Sequence, residues 1–212
     1  MQLVSPSLPV GSYAYSQGLE YAIDAGWVSN EEETCNWIDA ILSTSFKSTD
    51  LAIFRKCYIA WEDKDSPSVH LWNTQLIACR ETKEFELEEK QLGYALKKLL
   101  MEIESDCLLD VETEWTFVAL FSCVAEYWNI DLRESMLGFT HAWVENQIAA
   151  AIKLVPLGQV AGQRLMQNLQ NSIESAVEES FQIADEEIGI SLPGLAIASS
   201  LHETQYSRLF RS

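Results

Sequence analysis

Apolar residues recur at three- and four-residue steps through most of the chain, and no stretch alternates with the two-residue period of a half-buried strand. The opening run Ser5-Pro6-Ser7-Leu8-Pro9-Val10-Gly11-Ser12 is the exception. Two prolines and a glycine predict an extended arm that delivers the chain to a first helix, with Ser12 as its N-cap. Tyr15, Leu19, Ala22 and Ile23 then share a helix face, and Ala25-Gly26 marks its stop. Ser29 or Asn30 ahead of Glu31, Glu32 and Glu33 predicts the start of a second helix, because carboxylates in a first turn complement the helix dipole; this helix is expected to reach about Phe46. Leu51, Phe54, Tyr58 and Trp61 outline a third, before a polar break at Glu62-Asp63-Lys64-Asp65-Ser66-Pro67 that reads as the long loop of the chain.

A fourth helix is predicted from Ser68 to the region of Arg80. Beyond it Phe85, Leu87, Leu92, Leu96, Leu99 and Ile103 form one face of a longer helix, with Glu86 and Lys90 four apart on the wet side. Between Trp115 and Trp128 the apolar positions surround the helix, which places it in the centre of the fold. Asp131 opens another helix through Met136, Phe139, Trp143, Ile148 and Ile152, ending near Pro156. Leu165, Leu169, Ile173, Val177 and Phe181 mark the last long one, and Asp185 to Gly194 is loop-like. The pattern predicts an all-α fold: a single-domain helical bundle of about eight to ten helices over residues 1–212, with an N-terminal arm at 1–11 and a C-terminal tail at 195–212.

Charge narrows the function. Thirty-two acids against fourteen Lys and Arg give a formal charge of -18, which repels phosphate backbones and anionic membrane surfaces, so nucleic acid and membrane are not expected as partners and basic protein surfaces are. Cys35, Cys57, Cys79, Cys107 and Cys123 are odd in number and widely spaced, and read as buried thiols of a reducing compartment. With no signal-peptide pattern and no apolar run of the roughly 20 residues a span needs, a cytoplasmic location is the expectation.

Candidate chemistry is sparse. His70, His141 and His202 form no recognised zinc spacing, and His141 with Glu145 shares a helix face as a local polar contact, so no metal ligands are assigned. Around Gly158 and Gly162 the lysine and hydroxyl of a phosphate-binding loop are missing; the two glycines allow a close helix contact, while Gln159, Gln163 and Arg164 offer donors. Arg80-Glu81-Thr82-Lys83-Glu84, with Gln91 and Gly93 downstream, reads as surface ion pairs such as Arg80 with Glu84. Nothing places a base beside a serine or cysteine nucleophile, so no catalytic or cofactor-binding residue is assigned. The tail mixes cations with apolar anchors, His202-Glu203-Thr204-Gln205-Tyr206-Ser207-Arg208-Leu209-Phe210-Arg211-Ser212. That chemistry suits either a protein interface or a final turn packed on its own domain.

Four ordered passages resemble the urease accessory protein UreF family: Leu3 to Gly11 with Tyr15-Ser16-Gln17-Gly18-Leu19-Glu20; Arg80-Glu81-Thr82 with Gln91 and Gly93; Pro156-Leu157-Gly158-Gln159 with Gly162-Gln163-Arg164; and the tail. The resemblance runs the length of the chain. It implies a non-enzymatic, usually homodimeric helical protein that bridges a second accessory protein, UreD or UreH, to the nickel-carrying GTPase UreG, for nickel insertion into apo-urease. Under that resemblance a partner-binding role falls on Arg80, Glu81, Thr82, Gln91, Gln163, Arg164, His202, Glu203, Tyr206, Arg208, Leu209, Phe210 and Arg211. Two departures accompany it: the arm starts so close to Met1 that a segment preceding it in some relatives is expected to be missing, and Phe85 and Leu87 stand where a more polar run would be. Two rivals are a small helical enzyme with Arg80, Glu81 and His141 around a pocket, and an acidic scaffold for an unrelated basic protein. Removing His202 to Ser212 is expected to leave a folded chain.

Overall fold

The computed structural model describes residues 3–5, 8–103 and 114–212; Met1, Gln2, Pro6 and Ser7 of the predicted arm, and Cys107, lie outside them. The described residues form helices and no strands: α1 Leu19–Asp24, α2 Glu31–Ile41, a π-helix Leu42–Leu51, α3 Ala52–Glu62, α4 Ser66–Ala78, α5 Lys83–Ile103, α6 Phe117–Tyr127, α7 Leu132–Leu154, α8 Gln159–Ser180 and α9 Pro193–His202.

Local chemistry explains most boundaries, including those that differ from expectation. Asn30 caps α2 by accepting from the Glu33 amide at 3.0 Å. No Gly or Pro follows until Pro67, so the helix does not end near Phe46; it widens into the π-helix and continues as α3. The expected long loop after Trp61 is a three-residue turn. Lys64 takes a left-handed conformation (φ 57°), Asp65 caps the Ser68 amide at 3.2 Å, and Pro67 sits in the first turn of α4. Ser12 is not the cap of the first helix: Gly11 leads into a 3₁₀ turn at Ser12–Ala14, and α1 starts only after Gly18, which is left-handed at φ 78°. Gly26 stops α1 at φ 75°, as predicted.

Helix α6 is the hub, with Val118 through Ala125 all buried and α3, α4, α5 and α7 packed around it. Its start is fixed by Asn73, which donates to the Glu114 carbonyl (3.0 Å) and accepts from the Thr116 amide (2.8 Å). There α5 passes so close that a Cβ on Gly93 would lie 2.0 Å from the Trp115 carbonyl oxygen, which makes glycine obligatory. Phe54, Phe121 and Phe139 meet at centroid distances of 5.1 to 5.9 Å in the main core, and Trp143 packs on Phe46 at 4.6 Å. Cys57 and Cys123 are buried as expected, whereas Cys35 and Cys79 are partly exposed. A smaller core joins α1 to α7 through Leu19, Ala22, Val28, Ala150 and Ala151, and the tail residue Phe210 completes it.

The buried row of α5 differs from the predicted face. It runs Glu84, Glu88, Leu92, Leu96, Leu100 in fourth-residue steps, joined by Glu89 and Gly93, while Leu87 and Ile103 are exposed. Three carboxylates thus occupy core-facing positions at the start of this helix. Their partners define the candidate site.

Candidate functional site

A buried carboxylate needs donors, because desolvation penalises its charge. Glu20, on the first turn of α1, draws them from the tail: the amides of Leu209 and Phe210 donate at 2.6 and 2.8 Å, and the His202 ring sits at 3.2 Å. The other nitrogen of His202 lies 2.8 Å from Glu84, which also accepts from Arg208 at 2.7 Å. His202 is completely buried, held between one acid from α1 and one from α5. One turn along α5, Glu88 accepts from Gln17 (2.8 Å) and from the Ser212 hydroxyl (2.8 Å). The Ser212 backbone oxygen in turn accepts from the amides of Ser16 and Gln17. Burial pushes the Glu88 carboxyl up to about 7, against the lowering effect of its two hydrogen bonds.

Arg80, just ahead of α5, is not a surface residue paired with Glu84. It donates to Asp50 of the π-helix at 2.6 Å and to Glu89 at 3.2 Å, all three side chains being largely buried. Burial works against its charge, but Asp50 and Glu89 outweigh that and raise its pKa. Thr82 is also internal: its hydroxyl caps the Phe85 amide at 3.2 Å and meets Ser199 of α9 at 2.7 Å. Glu81 is exposed and hydrogen-bonds Ser191.

These contacts gather three of the segments singled out by sequence into one place: the Tyr15–Glu20 stretch, the start of α5, and the tail. Tyr15 donates to Gln91 at 2.6 Å, and Arg211 reaches the same oxygen at 3.3 Å. Burial raises the Tyr15 hydroxyl above its ordinary value. Outside this knot, Tyr206 and Leu209 project fully or largely into solvent, Glu203 is exposed, and Arg211 and Gln91 line a shallow groove with Tyr13, Leu87 and Tyr94. The fourth segment is elsewhere. Gln163 and Arg164 are exposed on α8, where Arg164 pairs with Glu31 of α2 at 2.9 Å, and Gly162 admits the Ile152 side chain rather than a backbone.

Of the sequence-predicted partner-binding residues, His202, Phe210 and Thr82 are therefore buried in the chain's own interior, and Arg80 nearly so. A tail with Phe210 and Ser212 buried is part of the folded domain, so removing His202 to Ser212 would open the smaller core and strand Glu20, Glu84 and Glu88. From sequence, Glu20 stood only within a motif and Glu84 only as half of a surface ion pair, and Glu88, Asp50 and Glu89 were not singled out at all. One signal was available: Glu84 and Glu88 continue the row of Leu92, Leu96 and Leu100 at the same spacing.

A cleft of about 270 Å³ adjoins the knot, between the π-helix, α5, α7 and the 189–195 segment; Arg80 and Glu81 line it, and His141 does not. Among the described residues no group of three or more His, Cys, Asp and Glu side chains is arranged to hold a metal ion, and no helix is long and apolar enough to cross a membrane. The arrangement ties the tail down from inside through hydrogen-bonded buried carboxylates and leaves Tyr206, Leu209 and Arg211 on the outside.

Comparison with known proteins agrees with the resemblance read from the motifs. The UreF family model matches residues 28–170. The chain is 46% identical to the urease accessory protein UreF of Marinomonas sp. (strain MWYL1) over 212 residues, covering all of this chain and 92% of that protein. It is 42% identical to that of Alkalilimnicola ehrlichii over 217 residues (all of this chain, 93% of the relative), and 42% identical to that of Hahella chejuensis over 213 residues (all of this chain, 96% of the relative).

Proposed function

The chain belongs to the UreF family of urease accessory proteins, and on that footing we propose that it is a non-catalytic scaffold for nickel insertion into apo-urease. It acts in the cytoplasm as a homodimer and bridges the accessory protein UreD or UreH to the GTPase UreG, with nickel as cargo. The observation that supports a partner face here is the knot itself. By tying the tail to α1 and α5 through buried carboxylates, the fold holds exposed Tyr206 and Leu209 on an anchored segment and sets Arg211 beside Gln91, Tyr13 and Tyr94. Preordering aromatic and Arg anchors reduces the entropy that association must overcome. The buried members of the same segments, His202, Phe210 and Arg80, position this face rather than touch the partner.

The test uses exposed residues, so that folding and recognition separate. Tyr206→Ala with Leu209→Asp is expected to leave the thermal melt unchanged, to lose co-purification with UreD/UreH or UreG, and to fail to restore urease activity in cells lacking the chain. Retention of both partners together with full urease activation overturns the assignment of this face.

A further inference from the structure

His202 sits at the centre of the knot with both ring nitrogens facing carboxylates: Nδ1 lies 2.8 Å from Glu84 Oε2, and Nε2 lies 3.2 Å from Glu20 Oε2. A neutral imidazole has one N–H and one lone pair, so it donates to only one of them. The second nitrogen would then turn its lone pair on a carboxylate oxygen away from water, unless that carboxyl carried a proton. Neither acid suits one. Glu20 accepts from the Leu209 amide through Oε1 and from the Phe210 amide through Oε2, so a proton there would compete with a tail amide. A proton on Glu84 would deprive the Arg208 guanidinium, 2.7 Å from its other oxygen, of its counter-charge. The charge balance agrees: Glu88 holds its proton up to about pH 7, and Glu20 and Glu84 then meet two cations only if the ring is one of them.

The ring is also held in place. A Cβ on Gly18 would come 3.0 Å from the Ser199 amide nitrogen, so α9 touches the start of α1 backbone to backbone, and Thr82 ties Ser199 to the start of α5 at 2.7 Å. We propose that His202 is a buried imidazolium whose proton latches the tail, and that loss of this proton as the pH rises releases residues 203–212 from α1 and α5. The charged groups facing the ring are Glu20 of α1, Glu84 of α5 and, through Glu84, Arg208 of the tail; Glu88 lies one turn along α5, and Glu203, next in the chain, is exposed. With one N–H the ring repels one of its two carboxylates, and Glu20 is the one that the Leu209 and Phe210 amides hold. Once Glu20 and Glu84 are ionised, the latch is therefore closed at lower pH and opens towards higher pH. Glu88, which accepts from Ser212, costs stability in the same direction.

Nitrogen-15 NMR of the full chain reads the ring directly. At pH 7.5 His202 should show two protonated ring nitrogens, where the exposed His141 shows one, since an ordinary histidine gives up its proton near pH 6.5. Hydrogen exchange reads the latch. Corrected for intrinsic rates, protection of the Leu209 and Phe210 amides should fall at least about tenfold between pH 7 and pH 9, the equivalent of one unit of proton linkage, while the buried α6 amides keep theirs. Glu88→Gln should retain that fall, and His202→Gln should abolish it; if the second variant does not fold, the spectrum and exchange of the unaltered chain and of Glu88→Gln decide. An unprotonated ring nitrogen at pH 6 overturns the proposal, as does tail protection that follows the α6 amides at every pH. Weaker co-purification of UreD/UreH or UreG at pH 8.5 than at pH 6.5 is the further consequence, and it alone rests on the tail's being a partner face. A latch that behaves as stated in a chain that recruits no partner at either pH sinks that reading and leaves the latch standing.

Discussion

The tail with its α5 partner and the start of α8 with its α2 partner carry the same residue types, Arg, Gln and Glu, yet the fold treats them in opposite ways. Arg80 and His202 are sealed among carboxylates from distant parts of the chain. Arg164 meets Glu31 at an open surface, and Gln163 faces water. A buried charge is expensive to leave alone, so each partner in the knot depends energetically on the others; an exposed pair is screened and each member is dispensable. Charged residues of one composition thus become architecture in one place and solvated surface in the other.

Substitutions that break this contrast fall in order of size. Arg80→Ala strands Asp50 and Glu89 in the interior and should cost about 3–5 kcal/mol in urea-induced unfolding; an effect no larger than that of an ordinary surface change would end the comparison. Phe210→Ala empties the plug of the smaller core and should lose about 3 kcal/mol, where a freely fraying tail would lose nothing.

Glu88 supplies a pH signature. Its carboxyl goes from the ordinary 4.5 to about 7 on folding, so the native chain holds that proton more tightly; the stability it confers is complete below about pH 4.5 and disappears as pH rises through about 7. Glu88→Gln should remove a decline on the order of 3 kcal/mol between those limits, read as the difference between the two proteins' melts at pH 5 and pH 8. A wild-type profile that matches the variant's would show that Glu88 is already well solvated. At the small end, Arg164→Ala should leave the melting temperature where it is; a clear loss there would mean that the α8 surface is held together as tightly as the knot.

Legibility followed the same division. Helices were readable wherever a cap, a glycine or an apolar stripe lies within a turn or two of the backbone it controls, as at Asn30, Gly26 and α6. The expected stop near Phe46 failed because nothing local ends the helix there, and widening to a π-helix lets Thr49 and Asp50 face inward toward groups no sequence window contains. Arg80 with Glu84 looked like a surface pair because four-residue spacing permits it; burial redirected Arg80 to Asp50, thirty residues back, and Glu84 to His202, 118 residues on.

An all-helical chain, its strongly acidic charge and, through four ordered motifs, its family were all legible in the order of residues alone. Helix formation, capping and net charge depend on neighbours within a few residues or on simple composition, so they survive without coordinates. Which charged residues are internal and which face outward was settled by packing. Glu20 and His202 are 182 residues apart, and whether an acid is a surface charge or a buried anchor depends on how much water the packed helices remove from it and which donors replace that water.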